Sequence, residues 1–239
     1  MLTLARLFQN MAHGELSNIS VGNSTLGNIS PADYSNLISH VQLGLTALHK
    51  RFLLRTGEVV IQQYPDIRKY YLRKKYAQTN AASAEPVKYI LDTLGEPFEE
   101  DLFKIEQVYD ELGKEFRIND STAAFPIYTP AYNCLQLSPS TTNPTWCVVY
   151  RANYPEITIT DNFDPDEVEL DIPPYIVEAL QAYVTARIMT GRSHSIFEGV
   201  SEGDKYMARY EQLCLEIEIQ NLDADDNDLY DRAGVNGWV

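Results

Sequence analysis

Helical periodicity confined to the two ends of the chain, with strand-like pattern between them, is the feature that most restricts its fold. Leu37, Val41, Leu45, Leu48 and Phe52 recur at spacings of 4, 4, 3 and 4, which lines them along one side of a helix. Ser30-Pro31-Ala32-Asp33 marks its start: Ser caps free N–H groups, Pro fits the first turn, and Asp suits the positive dipole end. Near the other end, Pro173-Pro174 opens a second helix reaching about Thr190. Ile176, Leu180, Tyr183 (or Val184) and Ile188 form its stripe, and Gly191 is read as its C-cap. Ser201-Glu202-Gly203-Asp204 has the form of a capping box for a third helix over 203–222. Tyr206 (or Met207), Tyr210, Leu213, Cys214 and Ile217 point inward there. A shorter amphipathic helix over 2–13 carries Leu4, Leu7, Phe8 and Met11.

At Thr56-Gly57 the period changes. Glu58–Gln62 reads as a strand, 64–80 is basic and Tyr-rich, 81–86 is a small-residue spacer, and 87–93 is assigned to a short helix. Residues 103–110 and 115–119 read as strands paired around the Gly-containing loop 111–114. Strand character continues through 125–129, 132–138 and 146–152, kept short or at edges by Pro126, Pro130 and Pro139. The expected fold class is therefore α+β. A helical bundle core from 1–55 and 172–222, centred on Leu45, Leu48, Leu180 and Leu213, flanks a β-rich insertion over 56–171. Residues 223–239 cannot bury enough apolar area to order themselves and read as a disordered tail, or, with Tyr230 and Trp238 as docking anchors, as an extended C-terminal arm.

Composition narrows the function. Nineteen Lys and Arg against 34 Asp and Glu give a net charge of −15, so the bulk surface repels nucleic acid and anionic membranes. No apolar run is long enough to span a bilayer, and no membrane partner is expected. The N-terminal MLTLARLFQNMAHGEL lacks a basic leader and a cleavage site, so no signal peptide is expected. Three cysteines without CxxC spacing point to reduced thiols. The triplets starting at Asn18, Asn23 and Asn28 read as a polar loop.

The search for chemistry is mostly empty. There is no HExxH, P-loop, GxGxxG or GxSxG, and the pair in Gly191-Arg192-Ser193-His194-Ser195 sits on a short loop. Asp223, Asp225 and Asp226 lack the Gly and distant Glu of a calcium loop. No catalytic, cofactor or metal residue is assigned. Charge distribution says more. Between Lys50 and Lys75 eight cations meet two acids, a local +6 that leaves −21 on the rest of the −15 chain. This stretch reads as a solvated face, as a nucleic-acid site with Tyr70, Tyr71 and Tyr76 as stacking platform, or as one edge of a self-associating subunit. Only the last accounts for a basic segment beside acidic ones, and it makes Arg68, Lys69, Arg73, Lys74 and Lys75 interface residues. In the arm, Asp225, Asp226 and Asp228 meet partner cations while Leu229, Tyr230 and Trp238 fill apolar pockets.

Several stretches in order resemble the head-to-tail adaptor (connector) proteins of tailed bacteriophages, of the short-tailed kind. They are FLLRTGEVVIQ (52–62), YYLRKKYA (70–77), FEEDLFKIEQVYDELGKEFRIND (98–120), IYTPAYNCLQLS (127–138), VVYRANYPEI (148–157), LDIPPYIVEALQAYVTARI (170–188) and YMARYEQLCLEIEIQNL (206–222). The resemblance implies a structural virion protein, not an enzyme, and no cofactor. It implies a ring, usually of twelve copies, under the portal of one capsid vertex, assembled in the bacterial host cytoplasm. Its partners would be the portal, copies of itself, the tail nozzle and a fibre or spike. Genomic DNA would pass through the channel without sequence-specific binding, and the C-terminal segment would grip the portal. Two other classes stay open: another ring-forming tail-completion component, and a virion-associated cell-wall glycan hydrolase.

Overall fold

The computed structural model describes residues 2–17, 29, 31–140, 144–160, 163–192, 202–220 and 222. Its elements, in chain order, are β1 (Leu2–Thr3), α1 (Leu4–His13), α2 (Tyr34–Arg51), β2 (Thr56–Gln62), β3 (Lys69–Tyr71), β4 (Ile90–Leu91), β5 (Leu102–Tyr109), β6 (Glu115–Phe116), β7 (Tyr128–Ala131), β8 (Cys134–Gln136), β9 (Thr145–Ala152), β10 (Glu169–Leu170), α3 (Val177–Arg192) and α4 (Glu202–Gln220). The fold is α+β. Contacts divide the chain into two compact units, one of Met1–Leu54 with Glu156–Val239 and one of Arg55–Pro155.

In the helical unit, Thr3 ends β1 and caps α1, its hydroxyl accepting the Arg6 N–H at 3.2 Å. Leu4, Leu7, Phe8 and Met11 are buried, as their spacing requires. A 3-10 turn, Pro31–Asp33, precedes α2, whose cap residue Asp33 makes no side-chain cap bond; the expected cap Ser30 lies outside the described residues. Leu37, Val41, Leu45, Leu48 and Phe52 are buried in one stripe. On α3, Ile176 just before it, Leu180 and Val184 are fully buried, while Tyr183 is half-buried with its ring edge-on to Tyr210 at 5.2 Å. The helix runs on to Arg192, so Gly191 is a helical residue and not its cap. Packing of α3 against α4, α2 and α1 makes the core.

Two features of this unit differ from what the sequence pattern predicts. Leu213 is half-buried, on the flank of α4; Tyr210, Cys214 and Ile217 hold its inner line. One residue of helix is a rotation of about 100°, enough to move a side chain from core to flank. The stretch 156–171, expected in the β-rich insertion, also belongs to this unit, since the insertion ends at Pro155. Leu2 and Thr3 pair with Leu170 and Glu169, and the N–H groups of Leu4 and Ala5 donate to Val168 O and Pro165 O at 2.9 and 3.0 Å. A bridge of two residues leaves no periodic trace in a sequence.

The β-rich unit contains two sheets, a five-stranded one in the order β4-β2-β9-β5-β6 and a three-stranded one in the order β3-β8-β7, each antiparallel throughout. Residues 87–93 are not helical. Ile90 and Leu91 form β4, pairing with Ile61 and Val60 at the sheet edge. The hairpin between β5 and β6 is as its loop predicts. Asp110 Oδ1 accepts the N–H groups of Leu112 and Lys114, both at 2.9 Å, and Gly113 takes the left-handed conformation at φ 76°.

Tyrosines stand at the centre of this unit. Tyr70 is fully buried; its hydroxyl accepts the Tyr64 N–H at 2.7 Å and donates to Ile67 O at 2.9 Å. The Tyr89 hydroxyl accepts the Tyr71 N–H at 2.8 Å and donates to Tyr71 O at 2.9 Å. Tyr150 lies opposite Gly57 in the β2–β9 register, where any Cβ would collide with its ring. Its hydroxyl donates to Asp101 at 3.1 Å. Burial pushes all three phenols above their ordinary range.

Candidate functional site

Among the described residues, no three His, Cys, Asp or Glu side chains converge to hold a metal ion. Cys134 and Cys214 are buried and Cys147 half-buried, and burial raises all three thiols. An apolar groove of about 360 Å³ in the β-rich unit is lined by Phe116, Phe125, Pro126, Pro139 and Trp146, with Asp110 and Glu111 at its rim. Both carboxylates are committed to structure. Asp110 holds the hairpin, and Glu111 accepts the Thr145 N–H at 2.7 Å and its hydroxyl at 3.1 Å. In this groove they serve neighbouring donors and do not form a free acid–base pair.

The basic segment is exposed at Arg68, Lys69, Arg73, Lys74 and Lys75, but these five are not equivalent. Lys74 Nζ pairs with Glu99 at 2.6 Å and its N–H donates to Glu100 at 2.7 Å. Lys75 pairs with Glu85 at 2.5 Å, with its ammonium 4.5 Å from the Tyr76 ring centroid. Arg55 pairs with Asp101 at 2.8 Å, and Arg51, in the helical unit, with Glu211 and Glu218 at 2.6 and 2.7 Å. Four of the eight cations counted in the sequence, Arg51, Arg55, Lys74 and Lys75, are thus paired with acids from outside the 50–75 stretch. Arg68, Lys69 and Arg73 make no ion pair among the described residues.

Strand alternation orients this face. Lys69, Tyr71 and Arg73 are exposed, while Tyr70 and Leu72 turn into the core. The stacking platform loses two members: Tyr70 is buried, and Tyr76 is stacked on Tyr89 at 4.6 Å. Tyr71 remains, 37% exposed, and Tyr132, 62% exposed, joins it from the β7–β8 turn. The bond from Leu72 N–H to Asn133 O, 2.8 Å, brings that turn beside β3. Nothing in the sequence near Tyr132 signals this neighbour.

A second surface lies on α4. Leu215, Ile219 and Leu222 lie along the outer side of α4 and beyond its end, opposite Cys214 and Ile217, and are all exposed. Leu45, Leu48 and Leu180 are fully buried. The arm residues Asp225, Asp226, Asp228, Leu229, Tyr230 and Trp238 lie outside the described residues. No helix among the described residues is long and apolar enough to cross a membrane. Compared with known proteins, the chain matches no family model and no curated protein.

Proposed function

We propose that this chain is a structural virion protein, the head-to-tail adaptor of a short-tailed bacteriophage. Twelve copies form a ring under the portal, extend the DNA channel, and join the capsid vertex to the tail nozzle and to fibres or spikes. The helices serve as a bundle core, and 223–239 is the extended arm that grips the portal. The role is architectural, not enzymatic. It is performed in the neck of the virion after assembly in the host cytoplasm. The observation that carries this reading is the chain order. A β-rich unit, Arg55–Pro155, is set into the sequence between two parts of one helical unit, as the resemblance of the stretches over 50–222 implies.

Charge supports the same role. A ring of chains at −15 each is strongly acidic, and an acidic channel repels phosphates, so DNA slides without being held. The test is electron microscopy of the purified protein alone and with portal, using the full chain and a chain ending at Leu222. Full-length rings on the portal, and none from the shortened chain, are the expected result. Absence of any ring with portal present overturns the reading. Complete portal-bound rings from the shortened chain remove only the arm from it.

A further inference from the structure

The outer side of α4 and the exposed face of β3 are incomplete in complementary ways. Leu215, Ile219 and Leu222 are spaced by 4 and 3 residues and are 50, 82 and 45% exposed. One exposed aliphatic side chain is ordinary; a row along a helix whose other side is already in the core marks a surface that docks something. Beside the row, α4 carries Glu211, Glu216 and Glu218 and no cation from Glu211 to its end. Glu211 and Glu218 stay 56 and 41% exposed although Arg51 touches both. Glu216 is exposed and accepts the Gln212 amide at 2.9 Å, with no ion pair among the described residues. This surface fits a partner that is apolar and cationic together.

The β3 face has that composition. Tyr71 and Tyr132 supply exposed rings, and Arg68, Lys69 and Arg73 supply cations without an ion pair among the described residues. We infer that the two surfaces are partners: α4 of one copy receives the β3 face of a second. The inference rests on the ring reading for the identity of the partner and adds which surfaces meet. The tyrosine rings cover Leu215 and Ile219, and the three cations face the α4 glutamates. Two different patches meeting give a head-to-tail contact, the kind that closes into a ring. A nucleic acid would use the cations but leave the aliphatic row of α4 unanswered, and two of the three tyrosines that would stack bases are already engaged.

The test uses two full-length variants, Lys69→Glu with Arg73→Glu, and Gln212→Lys with Glu216→Lys. None of these positions holds an ion pair among the described residues. Association on portal is read by electron microscopy and mass photometry, with circular dichroism checking the fold. Each variant alone is expected to associate about tenfold more weakly or worse. Their equimolar mixture is expected to restore assembly, because each then meets an opposite charge on both sides. Ile219→Lys, at an 82% exposed position, tests the aliphatic row separately and is expected to weaken association without unfolding. Wild-type rings with variants that assemble normally, or a mixture that fails to recover, overturn the pairing and leave the ring standing. A wild type that never assembles overturns both. Normal rings with lost retention of single-stranded DNA in the β3 variant would reassign that face to nucleic acid and overturn the pairing.

Discussion

The helical unit is filled mainly by Leu4, Leu7, Leu45, Leu48, Ala179, Leu180 and Val184, side chains with shape but no hydrogen-bonding group. The β-rich unit is centred on Tyr70, Tyr89 and Tyr150, whose hydroxyls each complete a bond elsewhere in the unit. A truncation in the first unit removes volume. One at Tyr70, Tyr89 or Tyr150 also strands a backbone or carboxylate partner, so those three positions specify geometry that aliphatic packing alone leaves open.

The sharpest way to break this contrast is Leu180→Ala. A fully buried leucine among α2, α3 and α4 should cost about 2–5 kcal/mol. Hydrogen exchange should show protection lost in the helices and kept in the strands. Equal loss in β2, β5 and β9 would show one cooperative body in place of two differently held units. Leu213→Ala, at a half-buried position, should cost clearly less; an equal cost would put Leu213 back in the core. Next in size is Tyr89→Phe, which removes one oxygen and leaves the Tyr71 N–H and C=O unpaired. About 1–3 kcal/mol is expected, with exchange quickened in β3 and β8. A silent Tyr89→Phe would mean that this unit, too, is held by volume alone.

The smallest effect is expected from Arg51→Gln. Hydrogen bonding to Arg51 holds the Glu218 carboxyl below its ordinary value. The contribution is therefore present at neutral pH, above the unfolded-state value, and is lost as pH falls through the lower folded one. Melting curves of wild type and variant should differ slightly at neutral pH and converge in acid or high salt. A gap that widens in acid would contradict the assigned partner.

Legibility from sequence follows the same divide. The stripes of α2 and α3 were readable because a buried aliphatic repeats at the helical period. Leu213 and Cys214 both fit the inward stripe of α4, and only packing shows that Cys214 takes the core and Leu213 the flank. Ile90-Leu91 is ambiguous in sequence because two apolar residues fit helix and strand alike. Tyr70 looked like a surface ring among cations, and only strand alternation turns it inward. The cations were countable, but their partners were not: Lys74 meets Glu99, and Arg51 meets Glu211 across 160 positions. Charge patterning identified the region of the candidate surface, and its usable residues depended on long-range contacts.

The pairing of Leu2 and Thr3 with Leu170 and Glu169 has a consequence for biosynthesis. Translation proceeds at roughly 5–20 residues per second, so α1 and α2 leave the ribosome well before α3 and α4 exist to cover them. Arg55–Pro155 is complete in the meantime and can fold first. The nascent chain thus carries the aliphatic stripe of α2 uncovered for seconds, ahead of a finished β-rich unit. During that interval the stripe is open to non-native contacts.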